Sequence, residues 1–441
     1  MNSNHKINYY LTNWLTVILI YFLFQSFDAS AGIISDFNEE FGAAGDTVIF
    51  KSFTGQVVDD EKNDPVVFAN VFVTGTNLGT VTNADGEFII KVPEEYLDQS
   101  LGISHIGYGR ATILIRDLKP EGNIIRLQVS PVPLKEVVIP SINPLQILKN
   151  SIGNISENYP GNSMMMTSFY RETIKKNRNY VAISEAILDV YKAAYGNVTD
   201  VDRIRIFRGR KSRDVSRMDT ILFKFQGGPY NSFLLDVVKN PGEILSEVSL
   251  DDYYYSYAGM INVDGRETYI IEFDQKDNID YPLYKGKIYL DAENLAIVGL
   301  EFGLSPKKIE RASGTMIKKR PLGMAIDIVS ANYLTNYRLI DDKWYLSYVR
   351  SEFVVYCKWD KKLFRSIYTV MSEMAVTDTD PENLNKFRIR ESARSTDILV
   401  EQIADFEDPD FWGEYNVIKP DESIEAAINK LGRRLMRQKN N

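Results

Sequence analysis

The sequence predicts a mainly β chain of the α+β type: an N-terminal seven-stranded antiparallel β-sandwich, then a large curved antiparallel sheet with packed helices. Three observations carry this. Short alternating apolar runs broken by turn residues fill the stretch from Val48 to Ile139. Much longer alternating runs joined by hairpin signals fill most of the chain beyond Ile139, and only a few stretches show the spacing of an amphipathic helix.

The first unit is clearest at "GTNLGTVTNADGEFIIKV", residues 75–92. Asn83-Ala84-Asp85-Gly86 is a turn signature, with side chains able to bond their own backbone and a glycine able to take positive φ. Beyond it Phe88, Ile90 and Val92 alternate with Glu87, Ile89 and Lys91, so a strand with one buried face is expected. The runs "VIFKSFTGQVVD", "VVFANVFVTG", "LGTVT", "LGISHI", "RATILIRDL" and "NIIRLQV" supply the other strands. About seven strands in ~90 residues is the spacing of a compact sandwich. "DDEKND" at 59–64 lacks the glycine-turned spacing of a calcium loop and reads as a solvated turn. Four prolines in "SPVPLKEVVIPSINP" then favour an extended connection, which sets the expected units at 48–139 and 140–441.

The second unit opens with a helix. Asn143 can cap it, Pro144 suits its first position, and Leu145, Leu148, Ile152 and Ile155 share a face. Strands are expected next in "MMMTSFYRETIKK", "YVAISEAILDVYKA", "RIRIFRG", "TILFKFQ", "DDYYYSYAGMINVDGRETYIIEFD", "LYKGKIYLDAENLAIVGLEFGL", "ANYLTNYRLIDDKWYLSYVRSEFVVYCKW" and "LFRSIYTVMSEMAV". Hairpin turns are expected at 263–266, 291–294 and 340–343, and all these runs are expected to form one meander-like sheet. "NSFLLDVVKN" reads as a short interrupting helix. A last helix is expected in "DESIEAAINKLGRRLMRQK", acidic at its start and basic at its end, with Phe411 and Trp412 pinning it to the sheet.

Residues 1–31 stand apart. Lys6, the apolar "YYLTNWLTVILIYFLF" and the small-residue Ala29-Ser30-Ala31 read as a cleavable secretory signal. The rival, a membrane anchor, needs ~20 apolar residues, whereas this core is about 15 long and is interrupted by Thr12, Asn13 and Thr16. The chain's single cysteine, Cys357, cannot form an internal disulfide and reads as a small core residue in an alternating strand.

A net charge of −9 argues against nucleic acid as a partner. The one basic concentration is "DRIRIFRGRKSRDVSR", where Arg203, Arg205, Arg208 and Arg210 form either a solvated strand edge or a patch for lipid phosphates or an acidic partner. In "DDYYYSYAG", Tyr253, Tyr255 and Tyr257 fall on one side of a strand, suited to packing, sugar stacking or an apolar cavity. Only His105 remains beyond the signal segment, too few histidines for a zinc peptidase, and it reads as structural or partner-facing. Ser104 and His105 point to opposite faces of a strand, and no G-x-S-x-G elbow or phosphate-cradling glycine loop occurs. No catalytic residue, metal or cofactor is therefore assigned.

Gly55-x-Val57-x-Asp59, Pro65, Ala69-x-Val71-x-Val73-x-Gly75-Thr76, Gly79-Thr80-x-Thr82-x-x-Asp85-Gly86-x-Phe88, "ISHIGY" and "LKEVVI" together resemble the carboxypeptidase-regulatory-like domain. The resemblance implies a transthyretin-like sandwich of Bacteroidetes envelope proteins, one that often precedes a TonB-dependent transporter barrel. Two departures stand out: His105 replaces the usual aromatic before Gly107-Tyr108, and too few residues remain after the sandwich for such a barrel. The later "VDGRETYIIEFD" and "YKGKIYLDAENLAIVGLEF" are weakly similar to LolA-type carriers, which implies a half-barrel closed by helices. The expectation is an exported, non-enzymatic protein of the periplasm or outer membrane, held peripherally if it meets a membrane and binding a protein partner or lipid. The alternatives are a carrier of lipid or lipoprotein acyl chains and, resting only on the supply of acids, a glycan-active enzyme.

Overall fold

The computed structural model describes residues 19–23, 49–130, 143–197, 199–213, 222–226, 228–317, 322–361, 363–405, 411–421, 424 and 426. The chain is mainly β, as expected. Most of the segment read as an export signal, most of the proline-rich connection and most of the last helix lie outside the described residues; Ile424 and Ala426 are helical, and Ile424 is buried against Ile183. Leu19–Leu23 does lie within them, as a short strand antiparallel to Leu222–Gln226. The run "TILFKFQ" thus pairs there and does not extend the large sheet as expected.

The sandwich consists of β1 (Phe50–Asp59), β2 (Asn70–Val73), β3 (Gly79–Val81), β4 (Glu87–Pro93), β5 (Ser100–Ser104), β6 (Ala111–Leu114) and β7 (Asn123–Leu127). A three-stranded sheet in the order β4-β1-β7 faces a four-stranded sheet in the order β3-β2-β5-β6. Phe88, Ile90 and Val92 point inward from β4 and meet Val57, Val71, Leu101 and Ile103 in one buried cluster. In the turn before β4, the Asn83 side-chain oxygen accepts from the main chains of Asp85 and Glu87. Gly86 sits there at φ +71°, and a Cβ would stand 2.7 Å from the Val57 carbonyl, so the position has both a conformational and a steric need for glycine. One pairing departs from the expected antiparallel plan: β7 runs parallel to β1. Its predecessor β6 belongs to the other sheet, so the link crosses between sheets and no hairpin imposes direction.

The second unit is built on ten antiparallel strands: β8 (Met164–Lys176), β9 (Asn179–Lys192), β10 (Arg203–Arg213), β11 (Tyr253–Val263), β12 (Arg266–Gln275), β13 (Tyr284–Asp291), β14 (Ile297–Leu304), β15 (Met324–Ile340), β16 (Lys343–Trp359) and β17 (Ser366–Asp380). The two-residue β18 (Ala404–Asp405) adds parallel to β10. The order is β11-β12-β13-β14-β15-β16-β17-β8-β9-β10-β18. Two meanders, β8 to β10 and β11 to β17, are thus joined by the pairing of β17 with β8. Two of the hairpins turn as expected: Asp264 and Gly265 take φ 55° and 84°, and Asp341 and Asp342 take φ 47° and 62°.

This order obliges the chain between β10 and β11 to cross from one side of the sheet to the other. That crossing carries α2 (Gly228–Leu234) and a short helix at Gly242–Leu245, while α1 (Pro144–Gly153), capped by Asn143 as expected, packs on β11. The interrupting helix lies earlier than "NSFLLDVVKN" suggested. β-branched Val237 and Val238, and an Asp236 carboxylate claimed by other elements, stop it. Phe233, Leu235, Val237, Val238, Ile244 and Leu245 pack onto the inward residues of the sheet. The sandwich lies against the opposite face, where Val81 meets Phe169, Ile187 and Tyr348. Cys357 is buried in the core as expected, and burial pushes its thiol up to about 12.

Candidate functional site

The sheet face under the sandwich carries a row of alternating charges. Arg350 on β16, Glu373 on β17, Arg171 on β8, Glu185 on β9 and Arg210 on β10 are successive cross-strand partners. Arg171 Nε donates to Glu185 at 2.8 Å, Nη1 to Glu373 at 3.0 Å and Nη2 to the Ile418 carbonyl at 2.7 Å. Arg210 Nε donates to the other Glu185 oxygen at 2.9 Å, and the Tyr348 hydroxyl to Glu373 at 2.9 Å. Burial works to raise the Glu185 pKa, but the guanidinium groups of Arg171 and Arg210 hold it below the usual carboxylate range.

An extended strap, residues 411–421, lies between this row and the sandwich. Trp412 meets Phe169 edge-on at 5.6 Å and takes the Arg210 guanidinium over its ring at 4.6 Å, so it is fixed to the sheet. From the sandwich, Thr80 donates to the Val417 carbonyl at 3.0 Å, and the Asn416 amide bonds both ways with the Lys91 main chain, at 2.7 and 3.1 Å.

These contacts divide the basic stretch. Arg210 is buried in the row, which removes it from any partner surface. Arg203 donates to the Phe387 carbonyl at 2.6 Å. Arg205 clasps Asp189 at 2.6 Å, and Arg208 donates to the Phe411 carbonyl at 2.8 Å. Arg205 and Arg208 also border a groove of about 520 Å³. One wall is residues 205–209 of β10; the other is residues 390–394 with Asp397 and the return of the chain at Gln402, Ile403 and Ala404. Phe207 at its rim is 48% exposed.

The other expected contact residues are not brought to this groove. Tyr253 is 2% exposed, its hydroxyl donating to the Glu243 carbonyl at 2.9 Å, because the inward side of β11 joins the core. Tyr255 and Tyr257 pack half-buried on the same cluster. His105 sits where sandwich and sheet meet, its Nδ1 2.8 Å from the Ile106 carbonyl and its ring edge-on to Tyr108 at 5.5 Å. Burial lowers its pKa.

The face turned to the helices has a different polar chemistry. Lys192, fully buried, lies 2.6 Å from both Asp202 and Asp236, and Asp236 also accepts from Tyr195 at 2.9 Å and Tyr337 at 2.8 Å. Among the described residues no cation pairs with Glu172; its carboxyl accepts from the Tyr170 hydroxyl at 3.1 Å, and burial raises it to about 8. Burial likewise raises Glu243 to about 7. Gly228 of α2 closes over this spot, since a Cβ there would stand 2.5 Å from the Tyr170 hydroxyl. Among the described residues no group of three or more His, Cys, Asp or Glu side chains could hold a metal ion.

With the sandwich and its grip on the sheet described, its family can be given. Residues 53–139 match the CarboxypepD_reg-like domain. The CarboxypepD_reg-like domain thus supplies the layer over the charge row. No curated protein matches the chain. Solved structures aligned with about half of it include a LolA superfamily protein from Nitrosomonas europaea, at 11% identity over 56% of this chain and 96% of that one, with a TM-score of 0.22. A DUF1329 family protein from Desulfovibrio piger aligns at 14% identity over 53% and 94%, with a TM-score of 0.20. Lipovitellin aligns at 8% identity over 57% and 28%, with a TM-score of 0.24. These scores are too low for the likenesses to bear on function.

Sequence patterns missed the groove's second wall, since Arg390 and Arg394 lie far from β10 in the chain. The charge row had a visible signal: each of "FYRET", "ISEAI" and "MSEMA" sets a charge on a strand otherwise fit for burial.

Proposed function

We propose that this chain is an exported, non-catalytic binding module of the cell envelope, and that the groove beside β10 holds an acidic partner. The observation that carries the reading is the groove itself, bordered by Arg205, Arg208, Arg390 and Arg394 against Glu391 and Asp397. The CarboxypepD_reg-like domain acts in this reading as the clamp that holds sheet and strap together, so that the groove is rigid. Packing of the crossing segment onto the helix-side face supports binding at the sheet edge over enclosure of an acyl chain. No helix among the described residues is long and apolar enough to cross a membrane, and peripheral attachment through a partner fits the reading.

Native mass spectrometry of the chain purified gently from its own envelope tests this. A bound polypeptide that is lost in the Arg390→Glu/Arg394→Glu double variant is the expected result. A stoichiometric lipid-sized mass that survives those substitutions would restore the carrier reading.

A further inference from the structure

We infer that the groove takes its acidic partner as an added β-strand: an extended acidic peptide paired with the outer edge of β10. This rests on the groove being a binding site, as proposed above. Five consecutive residues, 205–209, line one wall. A sheet face presents only alternate residues, so the wall is the edge of the strand, with its main-chain groups turned to the groove.

The chain already uses this edge at two points. Ala393 donates its main-chain N–H to the Ile204 carbonyl at 2.6 Å, and Ala404 pairs in parallel with Arg210. Between those points the chain swings away and returns. Among the described residues no main-chain hydrogen bond from another element is seen on residues 205–208 of β10, and from Gly209, against which Ile403 packs, the edge is covered. At ~3.3 Å per residue that opening is about 16 Å long, room for about four extended residues. A register shift opposite Ile187 and Leu188 bulges β10 there, which limits pairing to a short segment and disfavours open-ended association. The arginines select acidic side chains, and Phe207, exposed beside Arg208, offers an apolar contact to the residues between them.

The test uses the full chain and a fluorescein-labelled peptide of alternating glutamate and valine, read by fluorescence anisotropy. Two further versions carry N-methyl groups on one or the other alternate set of amides. Strand addition predicts saturable binding that falls about tenfold or more for one methylated set only, because only alternate amides face the edge. It also predicts a loss of similar size in Arg390→Glu/Arg394→Glu and in Ile206→Pro, the second removing an edge N–H. If both methylated peptides bind like the parent while the charge variant binds none of them, strand addition is overturned and the acidic-partner groove stands. If binding is unchanged in the charge variant, or only phosphatidylglycerol vesicles bind, both readings fall.

Discussion

Arg171 and Glu172 are neighbours in the chain and opposites in the fold. One points from β8 to the sandwich side of the sheet, into a row where every buried charge meets its opposite on the next strand. The other points to the helix side, where a carboxyl without a cation is raised to about 8 by burial and so keeps its proton near neutral pH. The contrast teaches that a buried ionisable group takes its charge state from what the adjoining layer supplies. Five strands in register supply alternating partners; beside Glu172 the Tyr170 and Ser184 hydroxyls supply only dipoles.

The contrast can be broken most severely at Arg171. Arg171→Met leaves Glu185 and Glu373 buried without their shared cation, and urea denaturation should show a loss of about 3–5 kcal/mol. A cost below about 1 kcal/mol would mean that the row adds little to the native state. On the helix side the largest effect belongs to Asp236→Ala, which strips a partner from Lys192 and removes the acceptor of the Tyr195 and Tyr337 hydroxyls. A loss of about 2–4 kcal/mol is expected in the same assay.

The pH dependence sharpens the difference. A carboxyl whose folded pKa is raised keeps its proton in the native state and loses it in the unfolded one, so stability falls as pH climbs from the unfolded value toward the folded value. For Glu172 that fall runs from about 4.5 to about 8. Its upper part, above pH 6.5, is free of the opposing contribution of His105, whose lowered pKa adds stability only up to its unfolded value of 6.5. Thermal melts between pH 6.5 and 8 should therefore decline in the wild type and decline less in Glu172→Gln, whose amide carries no proton to lose; the decline that remains, mostly below about pH 7, belongs to Glu243. Glu185 behaves oppositely: its lowered pKa gives stability at neutral pH that disappears only as pH falls through its folded value. The smallest effect concerns the strap. Asn416→Ala removes the two-way bond to Lys91, and hydrogen exchange should show faster opening of the strap at a cost of about 1 kcal/mol.

Much of the fold was legible because its signals are local. The Asn83 to Gly86 turn, the Asp264-Gly265 and Asp341-Asp342 hairpins and the Asn143 cap each depend on residues within a few positions of one another. The candidate site was legible only in part. Arg205 and Arg208 were picked out by a charge cluster, but Arg210 and Tyr253, singled out by the same kind of pattern, are buried. A run of arginines or tyrosines states the chemistry available along a strand, while the layers stacked on each face decide which members meet solvent.

The sequence by itself determined most of the strands, their turns, the sandwich and a supply of histidine limited to His5 and His105. Tertiary structure alone decided that β17 pairs with β8, that five charges fall into one row, and that residues 390–404 wall a groove beside β10. The physical reason is range: turns and alternation are set by neighbouring dihedral angles and side chains. Pairing between distant strands is set by burying every apolar face and matching every buried charge at once, a condition no short stretch of sequence contains.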